Sequence, residues 1–340
     1  HSSGKLDAAG LKAVEDAELM AGCEVSTVYV GVTGQHVKGE NQRGVVAISN
    51  RNRYVNAAEV KRVFEAAQAI KVPADREIIH VLSKEFAVDE QSGIKDPIGM
   101  SGVRLEAEVH IITGSTTSIQ NVIKSVNRAG FQCSDIIFSP LASSEAALSQ
   151  DEKDLGVALV DLGGGTCDIM VFVEGGVAQS TVLPVGGIHV TNDISIGLRT
   201  PQESAEVIKK KHGSAVTDLV DASEMIEVPS VGGRAPRRLF RQELAQIIEP
   251  RMMEIMEMVD RELTASGKKE LLAAGIVLTG GGSMIEGCVE VAERVFNMPV
   301  RVGTPRDIVG LKDVVSTPQF SNGVGLLKYG VLKEQFRAGK

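Results

Sequence analysis

Residues 157–173 read VALVDLGGGTCDIMVFV, and the fold follows from how this stretch is taken. Two runs that are apolar on both faces flank Asp161, the glycines Gly163, Gly164 and Gly165, and Thr166. Apolar residues on both faces suit a strand buried in the middle of a sheet. Glycines at the tip carry no Cβ, so the turn can take positive φ and a phosphate can approach the backbone N–H groups. Thr166 adds a hydroxyl donor. The Asp161 carboxylate suits a Mg²⁺ ion held through water, since Mg²⁺ keeps several of its waters. The plainer reading is a tight hairpin whose glycines serve geometry alone. Two glycines would satisfy that; the flanking Asp and Thr point to phosphate, which needs a partner site elsewhere in the chain.

One candidate is 274–283, AGIVLTGGGS, which reads as a strand, a glycine turn and a helix opening at Met284. A helix N-terminus presents unsatisfied N–H groups and a positive dipole end, which suits an anion or an adenosine lying across Gly280, Gly281, Gly282, Ser283 and Met284. Glycine turns of this kind also arise from close packing. A third element is the helix starting at Pro201, where Glu206 and Lys209 stand three apart and share a face. They could clamp a ribose or an adenine edge, or form only a solvated ion pair. Together the two glycine loops and this pair predict a nucleotide site between two lobes.

The 340 residues suffice for two or three domains with real cores. A hydrophobic content of 43% and a charged content of 24% place the chain among ordinary soluble globular proteins. The net charge of −8 argues against nucleic-acid binding, which usually shows a basic face. Cys23, Cys133, Cys167 and Cys288 are far apart, so neither a zinc site nor a disulfide framework is expected, and a reducing, cytoplasmic setting fits. The longest strongly apolar stretch, around 271–278, is too short to span a bilayer.

Periodicity predicts a helix over 11–20, strands over 26–32 and 44–48, and an amphipathic helix over 57–70. Val60, Val63, Phe64, Ala67 and Ile70 form the stripe of that helix. Strands over 77–88 and 105–113 follow. This strand–strand–helix–strand–strand block carries no catalytic-looking cluster. Beyond it the grammar turns α/β. A helix over 118–128, a strand over 134–138 and a helix over 141–148 lead into the glycine hairpin. Next come a helix over 201–211 closed by Gly213, a loop-rich stretch over 214–236 and a long helix over 241–263. A strand over 274–279 and a helix over 322–331 complete the pattern. A strand–helix block inserted into one α/β lobe explains the change of grammar.

On these motifs the chain resembles the actin, sugar-kinase and heat-shock ATPase superfamily. The hairpin is similar to its second phosphate motif, and 279–287 to its adenosine motif. Pro140-Leu141-Ala142 looks like the first hinge helix and 321–330 like the second, where Gly323 and Gly325 would permit close helix packing. Within the superfamily the resemblance narrows to the FtsA family of bacterial cell-division proteins. It is carried by AELMAGCEVSTVYVGVTG (17–34), EFAVDEQSGIKDPIGMSGVRLEAEVHIIT (85–113), AEVIKKKHG (205–213), VPSVGGRAPR (228–237) and QIIEPRMMEI (246–255). The resemblance implies an actin-like ATPase fold, two lobes around a nucleotide cleft, with a small α+β subdomain inserted in the first lobe. Residues 5–24, 115–155 and 326–340 would form the first-lobe core and 25–114 the insertion. Residues 156–200 and 273–325 would form the second-lobe core and 201–272 its outer subdomain.

The same resemblance implies an ATP- or ADP-binding protein that polymerises, links the FtsZ ring to the cytoplasmic face of the inner membrane and recruits later division proteins through the insertion. Asp161 would coordinate Mg²⁺ through water, and Gly163, Gly164, Gly165 and Thr166 would hold the β/γ-phosphates. Gly280, Gly281, Gly282, Ser283 and Met284 would hold adenosine, with Glu206 and Lys209 bracketing ribose and base. Arg251 and Glu254, after Pro250, would face the FtsZ C-terminal tail. Three departures shape the expectation. The family's opening hairpin with its own Asp-x-Gly phosphate loop has no match beyond Asp7-Ala8-Ala9-Gly10. Ser139 stands where the superfamily often places the acid that orients attacking water, so hydrolysis is expected to be slow or absent. The family's closing basic amphipathic membrane helix has no counterpart before Arg337-Ala338-Gly339-Lys340. A pilus-assembly adaptor and a small-molecule kinase of the same fold are the alternatives.

Overall fold

The computed structural model describes residues 8–69, 72–310 and 312–338. Asp7, Ile70, Gly339 and Lys340 lie outside the described residues. The chain divides into two compact units, His1–Ala142 with Leu326–Lys340, and Ser143–Gly325.

The first unit opens with α1 (Ala8–Ala21), β1 (Thr27–Val32), β2 (Lys38–Ala47) and α2 (Ala57–Gln68). It continues through β3 (Arg76–Val88), β4 (Gln91–Ile94), β5 (Arg104–Ser115), α3 (Thr116–Arg128) and β6 (Gln132–Phe138). Four strands form an antiparallel sheet in the order β2-β5-β3-β4. On β5, Leu105, Ala107, Val109 and Ile111 alternate onto one face and join Val63 and Ala67 of α2 in a single buried cluster. Asn56 starts α2 by accepting from the N–H groups of Ala58 (2.8 Å) and Glu59 (3.1 Å). Gly44 lets the helix settle on β2, since a Cβ there would lie 2.2 Å from the Val63 carbonyl. The other faces of β5 and β3 hold buried histidines. The His110 Nδ1 lies 2.7 Å from Asn41 Oδ1, and the His80 Nε2 accepts the Phe138 N–H at 3.0 Å.

The sequence placed the first strand in the inserted block, but β1 pairs in parallel with β6 instead. Its place in the four-stranded sheet is taken by β4, a strand of four residues that is too short to announce itself.

The second unit begins inside α4 (Ser139–Ala147) and continues with α5 (Gln150–Leu155), β7 (Val157–Leu162), β8 (Cys167–Val173) and β9 (Gly176–Leu183). Then come α6 (Gly187–Gly197), α7 (Gln202–His212), β10 (Met225–Val228), β11 (Arg237–Phe240) and α8 (Arg241–Ala265). The remainder is β12 (Ile276–Thr279), α9 (Cys288–Phe296), β13 (Val300–Val302), α10 (Lys312–Val315) and α11 (Ser321–Ala338), which runs on into the first unit. The five-stranded sheet has the order β13-β12-β7-β8-β9. β12 is parallel to both β7 and β13, while β7–β8 and β8–β9 are antiparallel. All six residues of β7 and all four of β12 are buried, as strands apolar on both faces require.

Local expectations are refined at three places. The turn after β12 does not open an α-helix at Met284. It makes a 3₁₀ turn over Gly281–Met284, and α9 begins only at Cys288 after Gly287 takes φ +78°. The loop-rich stretch 214–236 also carries one strand, Met225–Val228, which pairs with Arg237–Phe240 as an antiparallel hairpin. On α11 the close contact is not at Gly323, where a Cβ would meet nothing within 4 Å, but at Gly330, whose Cβ would lie 2.6 Å from the Tyr29 ring.

Candidate functional site

A cavity of ≈ 390 Å³ lies wholly within the second unit, where the two glycine turns and α7 converge. Its wall is formed by Gly163, Gly164, Gly187, Glu206, Lys209, Lys210, Gly213, Gly281, Gly282, Met284, Ile285 and Gln319. The volume is that of an ordinary small-molecule site. β7 and β12 are neighbours in parallel register, with Asp161 beside Thr279, so both turns leave the sheet from the same end. Ligands of open α/β sheets sit in this position, beyond the carboxyl ends of the strands.

The β7–β8 turn is closed by the Gly163 N–H, which donates to the Thr166 carbonyl at 2.9 Å. Gly164, at the tip, is exposed, and a Cβ on it would meet nothing within 4 Å. The same is true of Gly281 in the second turn, and neither residue has a positive φ. The protein's own packing therefore makes no demand for glycine at either position. Gly280 is different. Its φ is +80°, and a Cβ would lie 2.3 Å from Asp161 Oδ1 and 2.7 Å from the Leu162 carbonyl, so this glycine lets the turns close on each other. Ser283 is buried and its hydroxyl donates to the Gly280 carbonyl at 2.7 Å, which stiffens the turn from inside.

Asp161 sits beneath the turns, with its Oδ2 accepting from the Ser143 hydroxyl of α4 at 2.7 Å. Burial pushes its carboxyl above the usual range and the Ser143 hydrogen bond opposes that push. Thr166 Oγ1 lies 3.4 Å from Asp168 Oδ2. Of the residues expected at the site, Gly163, Gly164, Glu206, Lys209, Gly281, Gly282 and Met284 line the cavity, while Asp161, Gly165, Thr166, Gly280 and Ser283 are not in its wall.

On α7, Glu206 and Lys209 form the expected i,i+3 pair at 2.7 Å. Burial raises the Glu206 carboxyl, but hydrogen bonds from Lys209, Thr191 and Lys210 outweigh it and bring the pKa down to about 2. The site therefore keeps a fixed anion. Gly213 ends α7 with an ordinary φ of −63°. It is glycine for space: a Cβ would lie 2.4 Å from the Lys209 carbonyl.

Sequence reasoning missed α6, which borders the cavity with Gly187. The N–H groups of Gly187 and Ile188 donate to the carbonyls of Gly163 (2.9 Å) and Gly164 (2.8 Å), so the helix start is capped by the glycine turn. A Cβ on Gly186 would lie 2.7 Å from the Gly163 carbonyl. A Gly-Gly pair before Ile188 was the available signal. Ser143, Lys210, Ile285 and Gln319 carried none. Arg251 and Glu254 lie elsewhere, on α8. Arg251 forks onto Asp193 of α6 at 2.6 and 3.2 Å and also pairs with Glu254.

Among the described residues the wall offers no His, Cys, Asp, Ser or Thr. Its chemistry is that of binding: backbone at two glycine turns, an anion at Glu206, a cation at Lys210 and apolar surface at Met284 and Ile285. No group of three His, Cys, Asp or Glu among the described residues could cage a metal. No helix among them is long and apolar enough to cross a membrane.

Residues 158–325 match the family described as Cell division protein FtsA, and residues 34–113 match the SHS2 domain inserted in FTSA. The second match spans β2 to β5 with α2, the four-stranded sheet and its helix. Cell division protein FtsA of Pseudomonas aeruginosa is 49% identical over 323 residues, covering 95% of this chain and 77% of the relative. That of Escherichia coli K12 is 44% identical over 326 residues, covering 94% and 77%. Among solved structures, the PilM-PilN type IV pilus biogenesis complex aligns with TM-score 0.66 and 16% identity over 97% of this chain and 88% of that one. MreB5 of Spiroplasma citri bound to AMPPNP aligns with TM-score 0.53 and 19% identity over 66% and 68%. These structural likenesses show the actin-like fold, and the sequence likenesses go further: this chain belongs to the FtsA family of cell division proteins.

Proposed function

We propose that the chain is a nucleotide-switched, actin-like adaptor of the division machinery. In this reading it binds ATP or ADP, polymerises, carries the FtsZ tail on α8 and presents its inserted sheet to later division proteins at the cytoplasmic face of the inner membrane. The observation that carries the nucleotide part is the pair Gly164 and Gly281. Both border the cavity and neither is needed as glycine by the surrounding protein, so a ligand's close approach accounts for their bare backbone. Phosphates would lie at Gly163–Thr166, the ribose at Glu206 and the base across Gly281, Gly282 and Met284. MreB5 of Spiroplasma citri, which shares the fold, is bound to AMPPNP, and that supports the nucleotide reading.

Asp161 fits Mg²⁺ as a single hard carboxylate reaching the ion through water, with nucleotide phosphates and water supplying the other ligands. Bound there, the ion would neutralise phosphate charge. The protein's part is to hold Asp161 at the turn through Ser143. Ser139 offers no general base, so turnover is slow or absent and the nucleotide acts as a switch. Arg251 and Glu254 would face the acidic, apolar FtsZ tail.

Calorimetric titration of the chain with Mg-ATP and, separately, with an FtsZ C-terminal tail peptide tests both halves. Asp161→Ala with Thr166→Ala is expected to weaken Mg-ATP at least about tenfold, roughly 1.4 kcal/mol, and to leave the tail unaffected. Arg251→Glu is expected to abolish tail binding and to spare the nucleotide. Unchanged Mg-ATP affinity in the double variant overturns the phosphate site, and unchanged tail affinity in Arg251→Glu moves that interface elsewhere.

A further inference from the structure

We infer that Arg241 is a positioning residue for the base end of the cavity: from outside the wall it clamps together the two chain segments that form that end, and so governs which base the site accepts. The inference rests on the nucleotide reading above and names, within it, the residue on which base selectivity depends.

In that reading the base lies at Met284. Two segments far apart in sequence meet there, Met284 with Ile285 in the turn before α9, and Gly213 just after α7. They stand side by side because the Ala215 N–H donates to the Glu286 carbonyl at 2.7 Å and Ser214 bridges to Glu286 in parallel. Both lie where a regular element has ended. Gly213 follows the last turn of a helix, whose final carbonyls lack intrahelical partners. Residues 284–287 join a 3₁₀ turn to α9 through the left-handed Gly287. The width of the cavity at this end therefore depends on what holds the two segments from behind.

Arg241, the first residue of α8, reaches both. Its Nε donates to the carbonyl of His212, the last residue of α7, at 2.8 Å, and its Nη2 donates to the Glu286 carboxylate. The remaining arm, Nη1, donates to Glu224 Oε2 at 3.0 Å, while the Arg241 backbone N–H donates to the Glu224 carbonyl at 2.9 Å. These bonds fix the plane of the guanidinium. The side chain is 15% exposed, so its charge-assisted bonds are made largely out of water. His212 and Glu286 are the chain neighbours of Gly213 and Ile285, and a slip of the fork alters the gap between those two wall residues. A lysine would keep the charge but offer a point donor in place of a planar fork that holds a carbonyl and a carboxylate together. Arg241 is not in the wall, so it acts through Gly213 and Ile285.

ADP and CDP share ribose and phosphates and differ in the base, so the ratio of their affinities reads the base subsite alone. Calorimetric titration of the full chain with Mg-ADP and Mg-CDP should show tighter binding of ADP by the unaltered protein. In Arg241→Lys that preference should shrink by about fivefold, chiefly through weaker ADP. Mg-pyrophosphate, which has no base, should bind as before. A preference left intact overturns the inference even where both nucleotides weaken, because a general loosening of the unit lowers both alike. Pyrophosphate that weakens as much as ADP overturns it on the same ground. An unaltered protein that binds ADP and CDP equally overturns the inference and leaves the nucleotide reading standing, whereas one that binds neither overturns both. Should Arg241→Lys fail to fold, Glu286→Gln keeps the shape of a half-exposed side chain and removes the charge that the fork holds. A reduced preference is then expected, and an undiminished one overturns the inference.

Discussion

Gly44 of the inserted sheet and Gly164 of the β7–β8 turn make opposite use of a missing side chain. A Cβ on Gly44 would lie 2.2 Å from the Val63 carbonyl and 2.7 Å from the Ala67 amide nitrogen, so its absence lets a helix sit on a strand. A Cβ on Gly164 would meet nothing within 4 Å. The two regions also hold different titratable groups. The inserted sheet holds His80 and His110, whose imidazoles burial keeps neutral with pKa lowered to about 4; at His80 the Asp135 charge opposes that shift and Lys333 adds to it. The second unit holds Glu206 and Glu152. Burial raises both carboxyls, yet hydrogen bonds from Lys209, Thr191 and Lys210 to the first, and from Arg301 and Ser149 to the second, bring each down to about 2. One region is assembled to pack, and the other keeps the Glu206 carboxylate and open backbone facing a cavity.

Acid should separate the two regions most strongly. An imidazole with a pKa of about 4 in the fold and 6.5 outside it contributes fully above pH 6.5 and loses that contribution as pH falls toward 4. The loss is about 3 kcal/mol for each histidine at pH 4, and protonated His80 can no longer accept from the Phe138 N–H. Glu206 and Glu152, low in the fold, contribute fully above 4.5 and lose it only on the way down to about 2. Hydrogen-exchange protection, corrected for intrinsic rates, should therefore fail in β3 and β5 between pH 6 and pH 4 while β7 and β12 stay protected. Simultaneous loss would erase the contrast.

Glycine replacement gives the next largest effect. Gly44→Ala and Gly280→Ala should each cost about 3 kcal/mol, the first by overpacking against backbone and the second by adding left-handed strain to a clash. Denaturant unfolding measures both. Gly164→Ala sharpens the comparison from the other side: stability should stay within about 0.5 kcal/mol, while Mg-ATP affinity should fall by about tenfold or more, roughly 1.4 kcal/mol. An unfolded Gly164→Ala, or one that binds as before, would place that glycine with Gly44.

The strands that carry the site were legible because they are extreme. β7 and β12 are apolar on both faces, short and bounded by glycines, which is the pattern of strands in the middle of a sheet. The pairing partner of β1 was not legible, since a strand apolar enough for either sheet says nothing about which one it joins. α6 was hidden for a different reason. Its sequence, GIHVTNDISIG, combines glycine with β-branched residues of poor helix propensity. The helix forms because its first N–H groups find the Gly163 and Gly164 carbonyls, and because Val190 and Ile194 enter the core. Glu206 and Lys209 were visible as a pair at helical spacing, but the hydrogen bonds that hold them run to Thr191 and Gly187, which lie on the helix that could not be read.

That helix is held at two places. The N–H groups of Gly187 and Ile188 grip the glycine turn, and Asp193 grips Arg251 on α8. In mechanical terms α6 is a tie-rod. Tension applied to α8 at Arg251 reaches the Gly163 and Gly164 carbonyls along about 9 Å of helix, at 1.5 Å per residue, with no loop between to absorb it. A load on one surface of the second unit is thus delivered, undamped, to the backbone that faces the cavity.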